Sequence, residues 1–210
     1  MLPPTIPIFP LPNVVLFPSV FLPLHIFEPR YRQMVEDALN GDRVIGMVLL
    51  RQGWEGDYEG RPAVYPIGCA GVITHAERLA DGRFNIVLRG MEKFRITGEE
   101  STRPYRLGTV VPVPEPPPES VRQEMRGARR RLETLLVPQP EGPQRDPKVP
   151  SSMADEDLVN ALAQYLEFDA VEKQALLERD GLLDRCRSLI ELLEIKVLAA
   201  RHRWDRDESH

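Results

Sequence analysis

The chain has 210 residues, 42% hydrophobic and 28% charged, a composition that supports a folded core and excludes a disordered chain. Its 27 basic and 32 acidic residues leave a net charge of −5, opposite in sign to the basic excess of a protein that lives on phosphate backbones. The two cysteines, Cys69 and Cys186, lie far apart with no Cys-x-x-Cys or Cys/His spacing, which argues against a disulfide framework and a zinc site and points to a reducing cytoplasm.

From Met1 to Phe27 the only titratable side chain is His25. Pro3, Pro4, Pro7, Pro10, Pro12, Pro18 and Pro23 interrupt this apolar run. Each removes a backbone donor, so no continuous membrane helix can form, and no basic n-region or small-residue cleavage site marks a leader. Short buried strands and turns are expected instead. Glu28-Pro29 is a helix entrance, because proline suits the first helical position. Tyr31, Met34, Val35 and Ala38 share one face, and Asn40-Gly41 is expected to supply a left-handed stop. The spacing thus predicts an amphipathic helix over 29–39, and much of the polar crowding in LPLHIFEPRYR becomes helix-end chemistry.

Val44 to Leu50 has the length of a strand buried on both faces, and Ala63 to Thr74 is extended, with bends at Gly68 and Gly71. Asp81-Gly82 marks a hairpin. Phe84, Ile86 and Leu88 then alternate, Gly90 turns the chain, and Phe94 and Ile96 resume the alternation. Tyr105, Leu107, Thr109, Val111 and Val113 form one face of a further strand. Short strands joined by hairpins suggest a barrel-like or strongly bent sheet.

The run from Pro112 to Ser120 reads as a stiff linker, after which the period becomes helical. Val121, Met125, Ala128, Leu132 and Leu135 make one stripe, and residues 138–150 form a proline-rich loop expected to be mobile or extended. Ser152 to Asp155 has capping-box form ahead of Leu158, Leu162 and Tyr165. Asp169 to Glu172 opens another short helix. Leu183, Cys186, Ile190, Leu193, Val197, Ala200 and Trp204 run along a last, longest helix, apolar enough to require a sandwich between other elements.

At this point FPL (Phe9–Leu11), VLFP (Val15–Pro18), LPLHIFEPRYR (Leu22–Arg32), Gly68-Cys69-Ala70, Asp81-Gly82-Arg83 and RGMEKFRI (Arg89–Ile96) resemble the N-terminal substrate-recognition domain of Lon, the ATP-dependent protease. The likeness is specific over roughly Ile6 to Val113 and looser beyond. It implies an α+β fold: a PUA-like β pseudo-barrel with one inserted helix, then a C-terminal helical bundle with a long final helix. The expected division is residues 1–117 and 118–210. In that family the region binds polypeptides and helps assemble the oligomer, without chemistry of its own.

Full-length members carry an ATPase and a Ser-Lys protease module. Here no Gly-Lys pair exists, so no phosphate-cradling P-loop is possible, and GxSxG, HExxH and GxGxxG are missing too. With the chain ending at His210, no catalytic module is expected. The four histidines are scattered, and both cysteines read as small buried hydrophobes without a base to activate them. Arg122, Arg126, Arg129 and Arg130 read as a solvated helix face interleaved with glutamates, the rival reading being an anion or RNA contact.

The leading expectation is a non-enzymatic, cytoplasmic protein that needs no cofactor or metal and binds unfolded or partner polypeptides. Its contacts are placed at Leu24, His25, Phe27, Glu28, Arg30 and Tyr31, and at Trp54 and Tyr58 in a polar loop where aromatics can anchor a partner. The alternatives are RNA binding by a PUA-like barrel, and modulation of a full-length Lon through shared substrates or joint assembly. Self-association also stays open; a membrane partner is not expected.

Overall fold

The computed structural model describes residues 2–57, 60–116, 121–136 and 153–207. In chain order the elements are β1 (Thr5–Leu11), β2 (Phe21–Ile26), α1 (Pro29–Leu39), β3 (Val44–Leu49), a single 3-10 turn (Trp54–Asp57), β4 (Ile67–Arg78), β5 (Phe84–Glu100) and β6 (Arg106–Pro112). Helices α2 (Arg122–Leu136), α3 (Asp155–Tyr165), α4 (Ala170–Leu177) and α5 (Leu182–Asp207) follow. The chain is α+β, with one six-stranded sheet.

Contacts group the residues up to Pro114 with Asn160–Glu178, and Glu115–Val159 with the chain from Arg179 onward. This differs from a division at 117/118, which sent every residue after the linker to the helical part. Asn160–Glu178 joins the sheet because its buried amides satisfy the sheet unit's backbone. Gln174 Nε2 donates to the Ile67 carbonyl at 2.9 Å, and Gln164 Oε1 accepts from the Phe17 N–H at 3.2 Å. α4 is opened by the expected box, with the Asp169 N–H donating to Glu172 Oε2 at 2.8 Å.

In this first unit the strand order is β2-β5-β4-β3-β1-β6, and β5 also pairs with β6, closing the sheet on itself. β1 runs parallel to β3; the other pairings are antiparallel. Closure depends on the length of β5, 17 residues. Its first half pairs with β2, from Phe21↔Arg89 to Ile26↔Phe84, and its second with β6, from Phe94↔Pro112 to Glu100↔Leu107. Among the described residues β2 therefore keeps a single partner strand and forms an open edge.

The core is Ile6, Ile8, Val44, Val48, Ala70, Phe94 and Val110, closed by Leu2. β3 is buried along its whole length, as its unbroken apolar run predicted. α1 occupies the predicted 29–39, with Tyr31, Met34, Val35 and Ala38 buried. The left-handed residue beyond it is Arg43 (φ 60°) and neither Asn40 nor Gly41; the Arg43 N–H donates to the Ala38 carbonyl at 2.9 Å. The Asp81-Gly82 hairpin forms as expected, with Gly82 at φ 82° and the Leu79 N–H bonded to the Arg83 carbonyl at 2.8 Å.

Two strand expectations need correction. Gly90 does not turn the chain, since β5 runs straight through it. A Cβ there would lie 2.0 Å from the Phe17 carbonyl oxygen, so the glycine marks a close backbone crossing. In β6 the buried set is Arg106, Gly108 and Val110, while Leu107 and Thr109 are half-buried and Val111 is exposed. The inward face is crowded: a Cβ at Gly108 would meet Ile8 Cγ1 at 2.7 Å. A face that needs a glycine and hides an arginine is invisible to an apolar count.

In the second unit α2 buries Met125 and Leu132, and α5 buries Leu183, Cys186, Leu189 and Ile190. Arg187–Glu124 and Arg131–Glu194 ion pairs link the two helices. Past Ile190 the expected stripe of α5 stays partly covered, with Leu192, Leu193 and Val197 half-buried and Ala199 exposed, while Ile195 and Leu198, off that stripe, are 61% and 54% exposed. Of the expected α3 face, Leu158 is buried, Leu162 half-buried and Tyr165 exposed. The loop at 138–150 and the cap at Ser152 lie outside the described residues. Among the described residues no helix is long and apolar enough to cross a membrane.

Candidate functional site

Strand alternation separates the residues of β2. Phe21, Pro23 and His25 face outward, while Leu22 and Leu24 are half-buried and Ile26 is buried. Phe27, one residue past the strand, is 61% exposed, and its ring stacks on His25 at 6.4 Å. Phe21 begins the strand at 50% exposure, with the Arg89 guanidinium 6.0 Å from its ring centroid. Tyr165 Oη donates to the Phe21 carbonyl at 2.7 Å, and its ring is largely exposed. The open edge therefore carries aromatics at both ends.

His25 is held in one tautomer by its neighbours. Arg83 Nη1 lies 3.2 Å from Nε2 and can only donate, so Nε2 accepts and Nδ1 carries the hydrogen. Nδ1–H then donates to Asn85 Oδ1 at 2.8 Å, and Asn85 Nδ2 donates to Glu77 Oε2 at 3.0 Å. Arg83 in turn pairs with Asp81 at 2.6 Å. This surface network contains no nucleophile; it fixes the imidazole against which Phe27 rests.

The first turn of α1 points elsewhere. Arg30 and Tyr31 line a cavity of about 220 Å³ together with Arg61, Pro62, Tyr105 and Arg106. Glu28 sits beside it, its carboxylate 3.0 Å from Arg30 Nε. Tyr31 packs on Phe9 with centroids 4.4 Å apart and lies under the Arg30 guanidinium at 4.6 Å. Arg106 is buried, donating to the Pro62 carbonyl at 2.6 Å and to Glu99 Oε1 at 3.4 Å. Burial pushes its pKa down against the pull of Glu99, and the nearby Arg61 and Arg30 charges push the same way.

Tyr105 Oη donates to Asp37 Oδ2 at 2.6 Å, and Arg103 lies 3.5 Å from the same oxygen. That hydrogen bond holds the Asp37 carboxyl below its ordinary range, while burial and then Asp37 push the Tyr105 phenol up to about 12. A raised pKa contributes stability that is complete below the unfolded value near 10 and is lost as pH rises toward 12. We expect wild type to lose about 2 kcal/mol of unfolding free energy over that range through this group. Urea titrations of Tyr105→Phe against wild type at pH 9 and pH 11.5 check it. Equal pH slopes in the two proteins would refute the assignment.

The expected contact residues are thus divided. His25 and Phe27 stay on the outer edge, Leu24 is half-buried in β2, and Glu28, Arg30 and Tyr31 belong to the cavity. Trp54 is half-buried in its 3-10 turn and lines neither place, and Tyr58 lies outside the described residues. Sequence reasoning missed Phe21, Tyr165, Arg61, Tyr105 and Arg106. Phe21 shares outward parity with His25 and was legible; the others meet the site only through the closed sheet and the α3 segment. Cys69 is fully buried, and burial first of all pushes the Cys186 thiol up to about 12, so neither offers a reactive thiolate. Among the described residues no cluster of His, Cys, Asp and Glu could hold a metal ion.

This fold resembles those of solved Lon N-terminal domains. The Lon N-terminal domain protein of Xanthomonas campestris superposes with a TM-score of 0.59 at 23% identity, over 89% of this chain and 97% of that one. The N-terminal domain of the Mycobacterium avium complex Lon protease gives 0.62 at 15% identity, over 90% and 98%. The family model for the ATP-dependent protease La (LON) substrate-binding domain matches residues 5–194, and the chain belongs to that family. The Lon protease of Flavobacterium johnsoniae is 24% identical over 224 residues, covering 99% of this chain and 27% of that protein. Lon protease 2 of Herpetosiphon aurantiacus is 30% identical over 208 residues, covering 94% and 25%. The chain spans about a quarter of the length of these curated relatives.

Proposed function

We propose that this chain binds polypeptides, in particular non-native segments, through the open edge of β2, and performs no bond-breaking chemistry itself. One observation carries this reading. Among the described residues β2 has one side without a partner strand, and its two ends display Phe21 and Phe27 at 50% and 61% exposure. An extended chain pairs its backbone with such an edge and seats alternate side chains on flanking aromatics. Exposed apolar side chains are also what marks a non-native chain, so apolar anchors select for it. Pro23, which lacks an N–H, sits mid-edge and removes one donor from any strand added there, which leaves more of the contact to the aromatic ends. The family match supports the binding role, since it covers the substrate-binding region of Lon. A PUA-like description of the closed sheet, a cytoplasmic location and an effect on full-length Lon belong to the same proposal.

The test is retention of an unfolded model polypeptide, such as reduced and carboxymethylated lactalbumin, by wild type and by Phe21→Ser/Phe27→Ser. Both residues are exposed, so the fold should survive, as circular dichroism would verify. We expect affinity to fall about tenfold or more, the loss typical of truncated aromatic anchors. If wild type does not retain the polypeptide, the proposal fails. If the double variant binds as well as wild type, the edge is not the site.

A further inference from the structure

The cavity beneath the first turn of α1 is lined by positive charge on a chain that is negative overall. The whole chain carries −5, yet three guanidiniums, from Arg30, Arg61 and Arg106, line this one space, and among the described residues no carboxylate does. The nearest acids stand behind them. Glu28 pairs with Arg30, and Glu99 is shared between Arg106 at 3.4 Å and Arg61 at 3.9 Å. Arg103 and Asp37 beside Tyr105 cancel each other. Among the described residues, three cations against two carboxylates leave a net positive charge around the cavity. Arg106 is 8% exposed at its side chain and fixed by the Pro62 carbonyl, so it is a built, desolvated donor rather than a mobile surface arginine.

The remaining walls limit what fits. Pro10, Leu50, Pro62 and Pro104 line the space, and the prolines offer no N–H groups of the kind that cradle phosphate oxygens. The volume of about 220 Å³ is enough for one amino-acid side chain with its carboxylate. A planar guanidinium fork beside apolar walls matches a carboxylate carried on an apolar stem.

We propose that this cavity binds a carboxylate of the polypeptide ligand, borne either by its C-terminus or by an Asp or Glu side chain. This rests on the polypeptide-binding reading, which it deepens by naming the chemistry of one subsite. Edge pairing along β2 supplies sequence-tolerant affinity, and the arginine cavity adds a preference for peptides that present an acid.

The experiment uses fluorescein-labelled peptides of a single unstructured sequence in four forms: free C-terminal acid or amide, each with a penultimate Glu or Gln. Fluorescence anisotropy with the full chain should show the acid-free form, amide with Gln, binding about tenfold more weakly than at least one acid-bearing form. Which form binds tighter identifies the source of the carboxylate. Added salt should narrow the gap. Arg61→Gln, at a 40% exposed side chain, should remove the preference, whereas Arg95→Gln on an exposed position outside the cavity should preserve it. Equal affinity of all four forms overturns the carboxylate subsite while leaving polypeptide binding intact; no binding of any form overturns both. Stronger competition by millimolar inorganic phosphate than by acetate would also overturn it, because the cavity would then prefer phosphate.

Discussion

Gly90→Ala is expected to destabilise the sheet-containing unit by about 3 kcal/mol or more, at the severe end of overpacking. The added Cβ would lie 2.0 Å from the Phe17 carbonyl oxygen and 2.8 Å from its carbon, so backbone would have to move, and no side-chain rotation relieves the clash. The crossing is tied down on both sides. The Ser19 N–H donates to the Gly90 carbonyl at 3.0 Å, and the Gly90 N–H donates to the Val20 carbonyl at 2.8 Å. Ser19 itself sits at φ 64°, so this loop has little freedom to retreat. Gly127→Ala is the matched control. It lies inside α2 with nothing within 4 Å of its would-be Cβ, and should stabilise by up to about 1 kcal/mol. Urea unfolding of both variants decides the matter, and a Gly90→Ala midpoint equal to wild type would show that the crossing is not as drawn.

Glu115→Ala should cost about 3 kcal/mol in the second unit, because it leaves Arg185 buried without its carboxylate. Arg185 is fully buried, whereas Glu115 keeps 24% of its side-chain surface in water. The arginine has paid the larger desolvation cost and loses most when the pair is broken. Replacing both partners, as Arg185→Met with Glu115→Gln, removes the stranded charge and should recover most of the loss. The double-mutant cycle, read from denaturant midpoints, should return a coupling above about 1 kcal/mol. Additive single effects would mean that the pair contributes no more than its two residues separately.

Legibility followed the range over which each feature is decided. The helix over 29–39, the Asp81-Gly82 hairpin, the capped start at Asp169 and the buried strand after Val44 were all readable, because each is governed by a few adjacent residues. Gly90 was read as a turn because glycine permits both a bend and a close approach, and only the crossing chain near Phe17 distinguishes them. The apolar residues of β6 were readable as one face, but the more buried face is the other one, because Gly108 and Arg106 carry no apolar signal. The stripe of α5 was readable as a face, with Leu193 and Val197 half-buried, but period alone does not reveal how completely neighbouring elements cover it.

By itself the sequence determined the class of the molecule: alternating strands followed by helices, a negative surface, and motifs of a Lon substrate-binding domain without a phosphate-binding loop. Those properties reside in composition and in local backbone preferences. Tertiary structure alone decided that β2 is an open edge, that Arg30 and Tyr31 turn away from His25 and Phe27, and that Arg61 and Arg106 join Arg30 around one cavity. The physical reason is loop closure. Residues far apart in the chain acquire a shared electrostatic field only when the long strand β5 pairs at both ends and brings them within a few ångströms, and no local preference records that pairing.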